Sequence, residues 1–104
     1  MHDTHRMISL VSTYYTKDDI GQNVPVEQAV NVLCRLRSVS MTEWSQASQL
    51  GLSASLQAVM WAAEYHGEEY VDIDSKRYHV YRTYDSGDRV ELYLEEMTGH
   101  ESQY

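Results

Sequence analysis

The chain has 104 residues at 12.1 kDa, the size of one domain with no room for a second. Hydrophobic residues make up 42% and charged residues 23%, with nine Tyr, two Trp and no Phe, a balance that excludes a wholly disordered chain. The net charge of −8 lies mostly from Glu64 onward, where eleven acids face four bases, and this sign excludes gripping nucleic acid through its phosphates while allowing passive proximity to DNA.

Met1 to Arg6 is polar and patternless, and reads as a loose terminus before a single domain over 7–96. Met7 to Tyr15 has the Ile, Leu, Val, Thr and Tyr content of a strand. Met7 to Thr16 is also uncharged throughout. It is too short to cross a bilayer as a helix, and no basic segment of a signal peptide precedes it. Lys17 to Asn23, with Asp, Gly and Asn, reads as a turn. Val30, Val32, Cys34 and Leu36 then alternate with Asn31, Leu33, Arg35 and Arg37, the period of a half-buried strand. Cys34 is the only cysteine, which rules out an internal disulfide and fits a reducing compartment.

At Ser40 the period changes. Ser40-Met41-Thr42-Glu43 has capping-box spacing, in which the Ser oxygen takes the third helical amide and the Glu reaches back. Met41, Trp44, Ala47 and Leu50 follow at three-residue spacing, and Gly51 is a stop signal. The pattern predicts a short helix over 41–50 whose narrow apolar stripe must lean on something. Ser53 to Tyr65 is open to two readings. Its Leu, Ala and Met content favours helix, while its alternation also suits a strand buried on both faces.

Tyr70 to Ile73, Tyr78 to Tyr84 and Arg89 to Glu95 are strand-like, separated by the polar turns Asp74 to Arg77 and Asp85 to Asp88. Val90, Leu92 and Leu94 point to one face, and Glu91, Tyr93 and Glu95 to the other. Met97 to Tyr104 reads as a tail. The predicted fold is mainly β: a small antiparallel barrel or rolled sheet, with a C-terminal meander and one short α-helix between early strands.

No catalytic constellation emerges. The five histidines (His2, His5, His66, His79 and His100) lack the spacing of a metal site. The pairs Glu68-Glu69 and Glu95-Glu96 read as solvated faces, because neighbours in a strand point apart. Cys34 reads as a core residue rather than a nucleophile, and the scattered glycines form no phosphate-cradling loop. Neither a cofactor nor an enzymatic activity is expected. The sheet tyrosines either fill the edge of the core or supply protein–protein contacts, and Tyr81 and Tyr93 are the candidate interface residues.

The ordered set of segments carries a resemblance. A strand leads to Ser40-Met41-Thr42-Glu43-Trp44, with Ala47 and Gly51. Glu64-Tyr65-His66-Gly67-Glu68, Tyr78-His79-Val80-Tyr81-Arg82-Thr83-Tyr84 and Val90-Glu91-Leu92-Tyr93 then follow in order. Over 7–96 this resembles the head–tail joining family of long-tailed bacteriophages and prophages, also called head-closure or stopper proteins. The resemblance implies a β-barrel in which Leu56 to Tyr65 is extended. It implies a virion neck protein, assembled in the host cytoplasm as a hexameric or dodecameric ring below the portal and adaptor. Such a ring closes the filled head, docks the tail and lets DNA pass. Met41, Glu43, Trp44, Ala47 and Leu50 would then form a channel-facing or partner-facing excursion. A tail-completion or tail-terminator ring protein is the nearest alternative, and a monomeric β-barrel that binds a peptide on a sheet edge is another.

Overall fold

The computed structural model describes residues 4–101. Six strands, β1 (Thr4–Lys17), β2 (Asn23–Ser38), β3 (Ala54–Trp61), β4 (Tyr70–Ile73), β5 (Lys76–Ser86) and β6 (Arg89–Glu101), form a closed barrel in the order β1-β2-β3-β6-β5-β4. Every pairing is antiparallel. One helix, α1 (Met41–Gln49), occupies the excursion between β2 and β3, and a single 3-10 turn, Ala62–Glu64, follows β3. The expected fold class is the observed one. Among the described residues no helix is long and apolar enough to cross a membrane.

Alternation places one row of each strand inside. Ile8 and Leu10, Val32 and Cys34, Ala58 and Met60, Val71 and Ile73, Tyr78, and Val90, Leu92 and Leu94 make one continuous core. Cys34 is 3% exposed, and burial pushes its thiol pKa up to about 11, as suits a packing residue and not a nucleophile.

The two readings of 53–65 resolve to strand. Gln57, Ala58, Val59 and Met60 are all buried, so both faces of β3 are covered and the run carries no polar face to mark its period. The C-terminal meander is present, with β5 and β6 longer than expected. The β4–β5 turn narrows to Asp74 and Ser75, both at positive φ (53° and 66°), as a tight two-residue hairpin requires.

Both ends of the domain are longer than the sequence pattern suggested. Thr4 to Arg6 belong to β1, pairing with Leu36 to Cys34, and Arg6 bonds to Asp74. The 97–101 stretch belongs to β6. Backbone pairing with the neighbouring strands extends both segments without an apolar period. Met1 to Asp3 and Ser102 to Tyr104, the remaining parts of the expected loose terminus and tail, lie outside the described residues.

A larger departure is the β1–β2 hairpin. The two strands pair all the way to Lys17↔Asn23, but β4 joins β1 only at Ser9 to Val11, and β3 joins β2 only at Arg35 to Ser38. Beyond the barrel the hairpin therefore runs on as a two-stranded arm, and the molecule measures 51 × 30 × 22 Å. No core lies under the arm, so Val24 and Val26 alternate with Asn23, Pro25 and Glu27 without being buried; Pro25 is tolerated where the strand has a free edge. The turn is ordered by Asp18, whose Oδ1 accepts the N–H groups of Ile20 and Gln22 at 3.0 and 2.8 Å, with Gly21 at φ 84°.

Candidate interaction surface

Helix α1 begins as the sequence indicates. The Glu43 N–H donates to Ser40 Oγ at 3.1 Å, which is half of a capping box. It ends in a Schellman motif: the Gly51 N–H donates to the Ser48 carbonyl and the Leu52 N–H to the Ala47 carbonyl, both at 3.0 Å. Gly51 has φ 80°, and a Cβ there would meet no atom within 4 Å. The cost of Gly51→Ala is therefore conformational alone, expected at about 1 kcal/mol and measurable as a drop in thermal midpoint.

The second half of the expected capping box is absent. Instead of reaching back to Ser40, the Glu43 carboxylate crosses to β5. Its Oε2 accepts the Tyr81 hydroxyl at 2.6 Å and the Arg82 Nε–H at 3.2 Å, and its Oε1 accepts Arg82 Nη2 at 2.5 Å. A charged bidentate donor with a phenol beside it outcompetes one backbone amide. The Arg82 hydrogen bond holds the Glu43 carboxyl below the usual carboxylate range; burial opposes the shift and the Tyr81 hydroxyl adds to it.

A β-bulge makes this clasp available. The register of β5 against β6 shifts between Val80↔Leu94 and Arg82↔Tyr93, so Tyr81 is an extra residue and Arg82 joins it on the outer face. Strict alternation would have aimed Arg82 at the core. Arg82 also lies over the Tyr93 ring, 3.9 Å from its centroid, a cation–π contact. The Tyr81 and Tyr93 rings stand 6.3 Å apart.

From Tyr93 the network spreads over the outer face of the barrel. Its hydroxyl donates to Glu91 Oε1 at 3.0 Å, Gln57 Nε2 donates to the same oxygen at 2.8 Å, and Arg37 Nε donates to Gln57 Oε1 at 2.9 Å. Tyr81 and Tyr93 are therefore half-buried fasteners, not projecting contact residues. Sequence reading missed Arg82, Gln57 and Glu91 here, because periodicity carries no signal for a bulge set by the opposite strand.

The apolar stripe of α1 leans on less than expected. Ala47 is 3% exposed, but Met41, Trp44 and Leu50 are 77, 51 and 78% exposed. Thus α1 is fastened by one small side chain and one carboxylate, and its large apolar residues face outward. Met41 and Trp44, with Val39, Ala54 and Ser55, border an open depression of about 280 Å³.

The carboxylate pairs differ from expectation at one residue. Glu68 is buried rather than solvated, because its Oε1 accepts the His66 N–H at 2.7 Å in the irregular approach to β4, where strand alternation does not apply. Glu95 bonds to His79 Nδ1 at 2.8 Å. Among the described residues no group of three His, Cys, Asp or Glu side chains is placed to hold a metal; His2 lies outside them. Comparison of the chain with protein-family models, with curated proteins and with solved structures gives no match.

Proposed function

We propose that this protein is a structural connector of a long-tailed phage neck, one that closes the DNA-filled head and docks the tail. The observation that carries the reading is the uncovered stripe of α1, a well-capped helix that presents Met41, Trp44 and Leu50 to a partner. A helix held by so few contacts can exchange its fastening for a partner's surface at little cost. The resemblance of the ordered segments to the head–tail joining family supplies the setting: portal or adaptor above, tail protein below, copies of this chain around a channel, and DNA in transit. The acidic surface suits a channel that must not grip DNA.

The test is a deletion strain. Heads that package DNA and then lose it, with tails assembled separately, are the expected result. Stable filled heads joined to tails would overturn the reading.

A further inference from the structure

We propose that the tip of the β1–β2 arm docks on the Leu33–Trp61–Arg89 face of a second copy of this chain, joining copies head to tail. The biological setting of this contact rests on the connector reading, which it deepens by naming the surface between copies.

The arm carries the first half. Beyond the barrel it exposes Tyr14, Tyr15 and Ile20 at 50, 68 and 76%, around a turn that contains Asp18 and Asp19. Asp18 is spent ordering the turn, and Asp19 is exposed beside it. The tip is thus an aliphatic side chain beside two carboxylates and Lys17, with a net negative charge.

The second half lies further along the same hairpin. Leu33 and its cross-strand partner Met7 are 57 and 63% exposed on the outer face, and Trp61 is 50% exposed. The Arg89 guanidinium stacks on Trp61, 4.2 Å from the ring centroid. Leu33, Trp61 and Arg89, together with His5 and Arg35, border an open depression of about 290 Å³, and no carboxylate of the described residues lines it. In a chain of net charge −8 this is a cationic, apolar spot, opposite in sign to the arm tip and matched to it in apolar character.

Geometry makes the contact intermolecular. From Asn23 to Leu33 the extended strand spans roughly 33 Å, and both sites ride on one paired hairpin, so a tip cannot reach its own patch. Tip and patch are different surfaces, so the contact is heterologous and generates a ring if the rotation closes. Among the described residues the edge of β2 from Asn23 to Cys34 has no strand partner other than β1, which leaves room beside the patch for the incoming hairpin.

The experiment uses single-cysteine variants of the full chain under mild oxidation, each carrying Cys34→Ala because Cys34 borders the same depression. Ile20→Cys mixed with Met7→Cys is expected to give a mixed disulfide at least fivefold more abundant than Ile20→Cys mixed with the remote Leu50→Cys. Arg89→Glu on the patch partner should remove the excess, and Asp19→Arg on the arm partner should restore it. Equal yields from the two mixtures, or no rescue by the charge exchange, would overturn the contact. This outcome is separate from the deletion strain, which judges the connector role whichever surfaces the copies use.

Discussion

Leu92→Ala is expected to lower the unfolding free energy by about 3–4 kcal/mol, against about half that for Trp44→Ala. Leu92 is fully buried on β6, among Leu94, Val90 and Ala58. Removing three carbons there forfeits their transfer free energy and leaves a cavity that a closed sheet cannot collapse to fill. Trp44 is twice as large but half exposed, so truncation takes less from the barrel. Urea denaturation of the two variants checks the order. If Trp44→Ala costs as much as Leu92→Ala, the indole is a plug in the end of the barrel and α1 is scaffold, not a presented surface.

Glu43→Gln is expected to loosen α1 while leaving the barrel intact. The amide keeps the shape of the carboxylate but loses the charge that the Arg82 fork and the Tyr81 hydroxyl address, a loss of roughly 1–2 kcal/mol. Ala47 alone does not replace that fastening, and a nine-residue helix is not stable unaided. Amide exchange over Met41 to Gln49 should therefore quicken several-fold, with Leu92 and Leu94 unchanged.

The pH dependence has a definite sign. Because the folded state lowers the Glu43 pKa, its contribution is fully present above the ordinary carboxylate pKa and is lost as pH falls through the lowered folded value. The stability gap between wild type and Glu43→Gln should thus be full at neutral pH and close as pH falls below the ordinary carboxylate range. A gap that persists in acid would mean that the ion pair is not the fastening.

What the sequence revealed, and what it concealed, follows from how local each feature is. The caps of α1 are legible because Ser40 and Gly51 act on amides and carbonyls within a few residues. The inward row Val90, Leu92, Leu94 is legible because one face of β6 meets the core and the other meets polar side chains. The Glu43 clasp is not legible, since it depends on a bulge opposite Tyr93, a register fact about two strands. Nor is the arm, whose length is set by where β3 and β4 stop. For β3, burial on both faces erases the alternation that would have separated strand from helix. Met41, Trp44 and Leu50 were legible as a stripe; that they remain uncovered depends on tertiary packing.

The barrel closes at one narrow seam, where Ser9 to Val11 meets Tyr70 to Asp72. Three residue pairs supply few backbone bonds, each worth about 1 kcal/mol net. Leu10, Val11 and Val71 are at most 1% exposed, so packing contributes more to closure than the ladder does. Yet β1 alone does not choose its alignment here, since Leu10 and Val11 are both buried and a one-residue slip would merely exchange them. The choice falls to β4. A slip of the β4–β5 hairpin there would turn the paired Asp72 and Arg77 inward and carry Val71, Ile73 and Tyr78 out of the core. The closing seam is thus aligned by a hairpin of which only one face can be buried.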